Sequence, residues 1–522
     1  MTSPATRVLV LGLDSASPEL LDQWMQSGDM PNLARLRKRG AIGATTQPDL
    51  LGNGAVWSCF HAGLNPGREP FFDGLRHFDA ETYSFRNFKP GEVDVEWTWR
   101  RLAKNGKRCL LVDLPYTHLE PVPNGVMILD WGTHNPTTGD RLGVISEPPE
   151  VAQEVRELVG EDPVGGIQCD WVPRNSPHQM EAFREQLIER ADKRATLFLH
   201  YLNQGGWDYA EVAFSEPHCG GHYFWHVNDP FHEEFDAALA ERLGEPLKDI
   251  YRAIDRSLGR IIDAVDERTF VLLYSSHGMG VQHSASGLLD RVLDRLDTNT
   301  CAPAPRRQLK HMAVEQWRRL PYSFRKPFRP LTRQVGKNVN FNIPRYVGNR
   351  ADRRFFEVPV NNMTGGVRVN LKGREANGLV DPAELDSVLE DISEGLRQIV
   401  KAETGEPLVS DIVRGDQIYP GPFARFYPDL FVSYNRETPI GTIRSDRIGE
   451  LDQRYAGARS GDHVPGGLFM AAGAGVTKTV LNSPVAAVDF APTLSTILGV
   501  EPGDTDGEPI TALLQSEEME PA

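Results

Sequence analysis

The stretch RVLVLGLD, residues 7–14, decides how the rest of the chain is read. Behind Arg7 runs a short apolar segment that ends abruptly on Asp14. A run this short, apolar at nearly every position, predicts a strand buried on both faces, as in a parallel sheet covered by helices. Similar runs recur at 108–114 (RCLLVDL), 126–130 (VMILD), 209–215 (YAEVAFS), 269–275 (TFVLLYS), 429–433 (DLFVS) and 467–472 (GLFMAA). Helical patterns lie between them. The clearest is 247–265, where Leu247, Ile250, Tyr251, Ile254, Leu258, Ile261, Ile262 and Val265 recur at helical spacing. Strands alternating with helices predict an α/β fold with a mostly parallel central sheet flanked by helices on both faces. Chemistry in such sheets collects at the carboxyl ends of the strands. Those ends carry Asp14, then Glu216 and His218, then Ser276 and His277.

The 522 residues carry a net charge of −16, with 40% hydrophobic and 25% charged residues, which excludes disordered and collagen-like classes. An acidic chain argues against a nucleic acid polymer as partner, because phosphate binding needs a basic face. The apolar run near the N-terminus is interrupted by Gly12 and Asp14, unlike a signal peptide, and no stretch approaches roughly 18 apolar residues. The five cysteines are odd in number and scattered, so reduced thiols and a cytoplasmic location are expected. Residues 306–354 break the pattern. They hold 14 Lys+Arg against 2 Asp+Glu, a local charge of +12 that leaves −28 for the remainder. This basic, aromatic-rich stretch reads either as a solvated lid or subunit contact, or as an anion-binding or membrane-surface element. The expected organisation is one catalytic core from 1–290 and 355–515, a basic insertion at 291–354 acting as lid or cap, and an acidic tail at 516–522.

Several residues suit chemistry. In SEPHCGGHYFWHVND, His218, His222 and His226 are spaced at i, i+4 and i+8, and His218 with His222 makes a plausible metal half-site. Gly220 and Gly221 argue for an irregular turn with a helix starting near His222, which would leave His218 in a loop and His226 hydrogen-bonded in the interior. His277 in SSHGMG and His463 in SGDHVPGG offer the third and fourth metal-binding side chains, each equally readable alone as a loop residue. Ser58, within GNGAVWSCFHAGLNPG, lies near the start of a helix ending at Gly63. It reads first as an N-cap, and otherwise as a serine oxygen beside a bound phosphate or sulfate.

The order of these pieces resembles the alkaline phosphatase superfamily, and within it the type I phosphodiesterase/nucleotide pyrophosphatase branch. The matching segments are LGLD (11–14), AVWSCFHAGLNPG (55–67), SEPHCGGH (215–222), SSHG (275–278), GDH (461–463) and VDFAPTLSTILGV (488–500). VNLKGREANGLV (369–380) and YPDLFV (427–432) look similar to the same branch. The resemblance implies an alkaline-phosphatase-like core and a nucleophile at Ser58. It also implies His222 and His463 as ligands of a first zinc, with Asp14, His277 and Ser58 at a second divalent ion. His218 stands where the family has an Asp ligand of the first metal, and Ser276 where it has an Asp ligand of the second. The first site thus becomes three imidazoles, and the second loses a carboxylate and should hold its ion weakly or not at all.

The implied activity is metal-dependent hydrolysis of a small anionic phosphate ester, through a Ser58 phosphoester that water then cleaves. With a degraded second site, Asp14 and His277 become general bases towards Ser58. One alternative on the same fold is a sulfate ester hydrolase or phosphoryl-type transferase. Formylglycine chemistry is disfavoured, since Ser58-Cys59-Phe60-His61-Ala62 lacks the C/S-x-P-x-R signature. Another is a metal-binding protein with little turnover. The basic stretch would help draw an anionic ester towards an otherwise acidic body.

Overall fold

The computed structural model describes residues 7–298 and 349–514, apart from 49, 52, 73–75, 89–91, 134–142, 166–171, 173, 175, 286, 362 and 454–458. The chain folds as two compact units, one from 1–75, 89–282 and 457–522, the other from 76–88 and 283–456.

The first unit is organised by a ten-stranded sheet. At its centre the Arg7–Leu13 strand pairs in parallel with Tyr209–Phe214 on one side and Thr269–Ser275 on the other. Cys109–Val112 and Val126–Leu129 extend the parallel run beyond Tyr209–Phe214. Gly467–Ala472 joins antiparallel to Thr269–Ser275, followed by Ala41–Thr46. Every residue from Val8 to Leu13 is buried, as the apolar run requires. Leu9, Leu11 and Leu13 share one core with Leu21 and Trp24 of the Pro18–Ser27 helix and Ile254 and Leu258 of the Pro246–Ile262 helix. Alternation turns Val8, Val10 and Gly12 to the other face. There the Asn53–Ala62 helix packs, its Trp57 ring so close that a Cβ on Gly12 would stand 2.8 Å from it. The expected mostly parallel sheet with helices on both faces is the fold observed.

The second unit holds a four-stranded antiparallel sheet of Phe355–Pro359, Thr364–Val369, Leu430–Tyr434 and Val409–Arg414. Its core includes Leu289, Val292, Phe355 and Ile392. This corrects the reading of 429–433 as a strand of the parallel sheet. A short buried apolar run carries no mark of direction, which is set by the partner it finds.

Most of the basic stretch at 291–354 lies outside the described residues, and so does the acidic tail. Among the described residues no helix is long and apolar enough to cross a membrane. Cys59, Cys109 and Cys219 are buried and unbridged.

Candidate metal and ester site

All the candidate site residues belong to the first unit. Contrary to the expected turn at the glycine pair, Glu216–Asn228 is one continuous helix with Pro217 in its first turn. The glycines serve packing instead. A Cβ on Gly220 would lie 3.0 Å from Ile250 Cδ1, and one on Gly221 only 2.6 Å from Met279 Cγ. Each costs the helix about 1 kcal/mol in intrinsic propensity, offset by close contact with its neighbours. Since the helix is regular from Glu216, His218 is a helical residue and shares a face with His222. Beneath the first turn, buried Glu216 Oε1 accepts from Arg190 Nε at 2.8 Å and from Arg194 Nη2 at 3.0 Å. Burial opposes its ionisation, but the Arg194 and Arg190 charges outweigh it and hold the carboxyl below its usual range. Arg194 also pairs with Asp113, so the start of the histidine helix rests on a buried ion network.

His463 arrives on the Gly461–Val464 strand, which pairs antiparallel with Gly278–Val281. His222 Nε2 then lies 3.2 Å from His218 Nε2 and 3.1 Å from His463 Nε2. The donor atoms of the three buried rings fall within 4.8 Å of one another. His222 Nδ1 is 2.7 Å from the Gly461 carbonyl oxygen. A carbonyl only accepts, so Nδ1 carries the proton and Nε2 presents its lone pair to the two other rings. Three imidazole nitrogens converging in this way, one oriented by a backbone carbonyl, fit a divalent cation. His226, one turn further on, is not among them. Its Nδ1 meets Ser460 Oγ at 2.9 Å and Arg174 Nη1 at 3.1 Å, and burial together with the Arg174 and His232 charges lowers its pKa to about 3.

Ser58 lies inside the Asn53–Ala62 helix, not at its cap. The residues before it already complete a helical turn, so its buried hydroxyl turns back to the Gly54 carbonyl at 3.4 Å. The helix is pinned twice to the sheet. Trp57 Nε1 donates to Asp14 Oδ1 at 3.3 Å. One turn later His61 Nε2 meets Glu211 Oε1 at 2.9 Å, and Glu211 Oε2 accepts from the Tyr209 hydroxyl at 2.5 Å. Asp14 Oδ1 also faces Ser15 Oγ and Ser276 Oγ, each at 3.5 Å. Burial raises the Asp14 pKa to about 6 against the bonds from Trp57, Ser15 and Ser276. His277 Nδ1 stands 2.8 Å from Ser276 Oγ and Nε2 2.6 Å from Ser15 Oγ, and burial lowers its pKa to about 3. Its ring centroid is 4.7 Å from that of His463.

The fold therefore gathers His218, His222, His463, His277 and Asp14, and links Ser58 to them through its neighbour Trp57. Ser15, His61 and Glu211 escaped the sequence reading. Ser15 adjoins Asp14 in the sequence, and Glu211 is a lone carboxylate inside the apolar YAEVAF run, so both left a trace. Nothing in the sequence pairs His61 with a strand 150 residues away.

Residues 8–451 match the sequence model of the family described as type I phosphodiesterase / nucleotide pyrophosphatase. No curated protein matches the chain.

Proposed function

Because the chain belongs to the type I phosphodiesterase / nucleotide pyrophosphatase family, within the alkaline phosphatase superfamily, we propose that it cleaves a small anionic phosphoric ester with Ser58 as nucleophile and a zinc ion held by His218, His222 and His463. The family is one of metal-dependent phosphoric ester hydrolases acting on small anionic phosphate esters. The observation that carries the proposal is the convergence of three buried imidazole nitrogens around His222 Nε2, at 3.1 and 3.2 Å. Zinc suits such a set, since it takes imidazole nitrogens tetrahedrally and keeps a fourth position open in catalytic sites. When bound, it supplies Lewis acidity and lowers the pKa of a bound hydroxyl or water.

The remaining work falls to the chain. Ser58 Oγ forms the new bond to phosphorus while the ester oxygen departs with the old bonding pair. Water then cleaves the Ser58 ester, releasing phosphate or its monoester and returning the hydroxyl. Asp14, buried and bonded to Trp57 on the helix that carries Ser58, is our candidate acceptor for the Ser58 proton, and burial raises its pKa to about 6, towards neutral pH. Trp57 holds Asp14 against the helix that presents Ser58. His277, with its pKa near 3, stays neutral at that pH and acts as a hydrogen-bonding partner.

The test is hydrolysis of an aryl phosphodiester by the purified protein, before and after chelation, and by Ser58→Ala. Activity should vanish on chelation, return with zinc, and fall about 10³-fold or more in Ser58→Ala. Full activity in the chelated protein or in Ser58→Ala overturns the proposal.

A further inference from the structure

We infer that Ser15 is a positioning residue whose hydroxyl locks His277 and closes the second cation position, leaving a mononuclear centre at His218, His222 and His463. The inference rests on the metal-dependent reading above. Ser15 follows the central strand with φ +56°, the left-handed region that favours glycine, and is fully buried. A side chain kept at such a position inside the protein points to a use for it. Its Oγ lies 2.6 Å from His277 Nε2 and 3.5 Å from Asp14 Oδ1. On the other edge of the ring, Ser276 Oγ lies 2.8 Å from Nδ1. A neutral imidazole has one lone-pair nitrogen, and in either tautomer that nitrogen here faces a hydroxyl. His277 cannot turn a lone pair to a cation without breaking one of these bonds. Asp14 is then the one carboxylate of the Asp14, Ser276 and His277 set. These residues do not fit a second divalent ion.

The sequence difference at Ser276 is thus only half of the change. Restoring a carboxylate there leaves Ser15 in place on Nε2. Replacing Ser15 by glycine frees Nε2 and also relieves the left-handed backbone.

The test is zinc stoichiometry, by elemental analysis after dialysis, of wild type, Ser276→Asp and the double variant Ser15→Gly/Ser276→Asp. Wild type and Ser276→Asp should each hold one equivalent and the double variant two. Two equivalents in wild type, or in Ser276→Asp alone, overturn this inference while leaving the metal-dependent reading intact. No zinc in wild type overturns that reading itself. If Ser276→Asp does not fold, calorimetric zinc titration of Ser15→Gly decides. A second, weaker binding step absent from wild type supports the role of Ser15, and an unchanged single step overturns it.

Discussion

His222 Nδ1 donates to the carbonyl oxygen of Gly461 across 2.7 Å, tying the helix that bears two of the imidazoles to the strand that bears the third. The same contact fixes the His222 tautomer, so the orientation of the site depends on how closely strand and helix approach. They approach as closely as they do because residue 461 has no side chain. A Cβ there would stand 2.3 Å from the Gly221 carbonyl oxygen.

Gly461→Ala should therefore push the strand off the helix and weaken zinc binding about 10–100-fold, the usual effect of losing an outer partner of a metal ligand. Competition with a chromophoric chelator measures this. Unchanged affinity would mean that the carbonyl does not orient His222.

The His61–Glu211 pair, both residues buried, should behave as a coupled unit. Glu211→Leu leaves the imidazole and the Tyr209 hydroxyl without their acceptor and should destabilise the protein by about 3–5 kcal/mol in urea unfolding. The double variant His61→Leu/Glu211→Leu should cost clearly less than the sum of the single changes, because neither member of the pair is then stranded and only the Tyr209 hydroxyl still lacks its acceptor. Additive losses would show that the two side chains do not depend on each other.

Acid should weaken the metal-free fold through its buried histidines. His226 and His277 refuse a proton until about pH 3 in the folded state, whereas an ordinary histidine accepts one near 6.5. Between those values the unfolded chain binds more protons, so stability present above pH 6.5 is lost as pH falls towards 3. Asp14 works in the opposite sense. With its pKa raised from 3.8 to about 6, it favours the folded state as pH falls through that narrower window, and offsets one histidine there. His226→Asn should reduce the slope of stability against pH by up to ~1.4 kcal/mol per unit between 6.5 and 3. A slope equal to that of wild type would place the lost stability elsewhere.

Much of this was legible in the sequence because it is local. The run at 7–13 needs only its own hydropathy to be read as a doubly buried strand, and the candidate site residues from Asp14 to His463 follow one another along the chain. What escaped depends on distant partners. The glycine pair at 220–221 looked like a break because its cause, Ile250 on one side and Met279 on the other, is invisible in the local pattern. Leu430–Tyr434 looked parallel because apolar runs do not reveal their neighbours. Ser58 looked like a cap because the turn of helix before it is weakly marked. The role of Ser15 rests on its left-handed backbone angle and on its contact with a residue 262 positions away, neither of which the local pattern carries.

The proposed mechanism requires Ser58 to form a covalent bond to phosphorus during turnover. Mass spectrometry of the zinc-loaded protein, quenched while it hydrolyses an aryl phosphodiester, detects that bond. The peptide containing Ser58 should carry the phosphoester, and Ser58→Ala should hold its zinc but show neither adduct nor turnover. Continued hydrolysis by Ser58→Ala, with no adduct on the wild-type peptide, would contradict the claim.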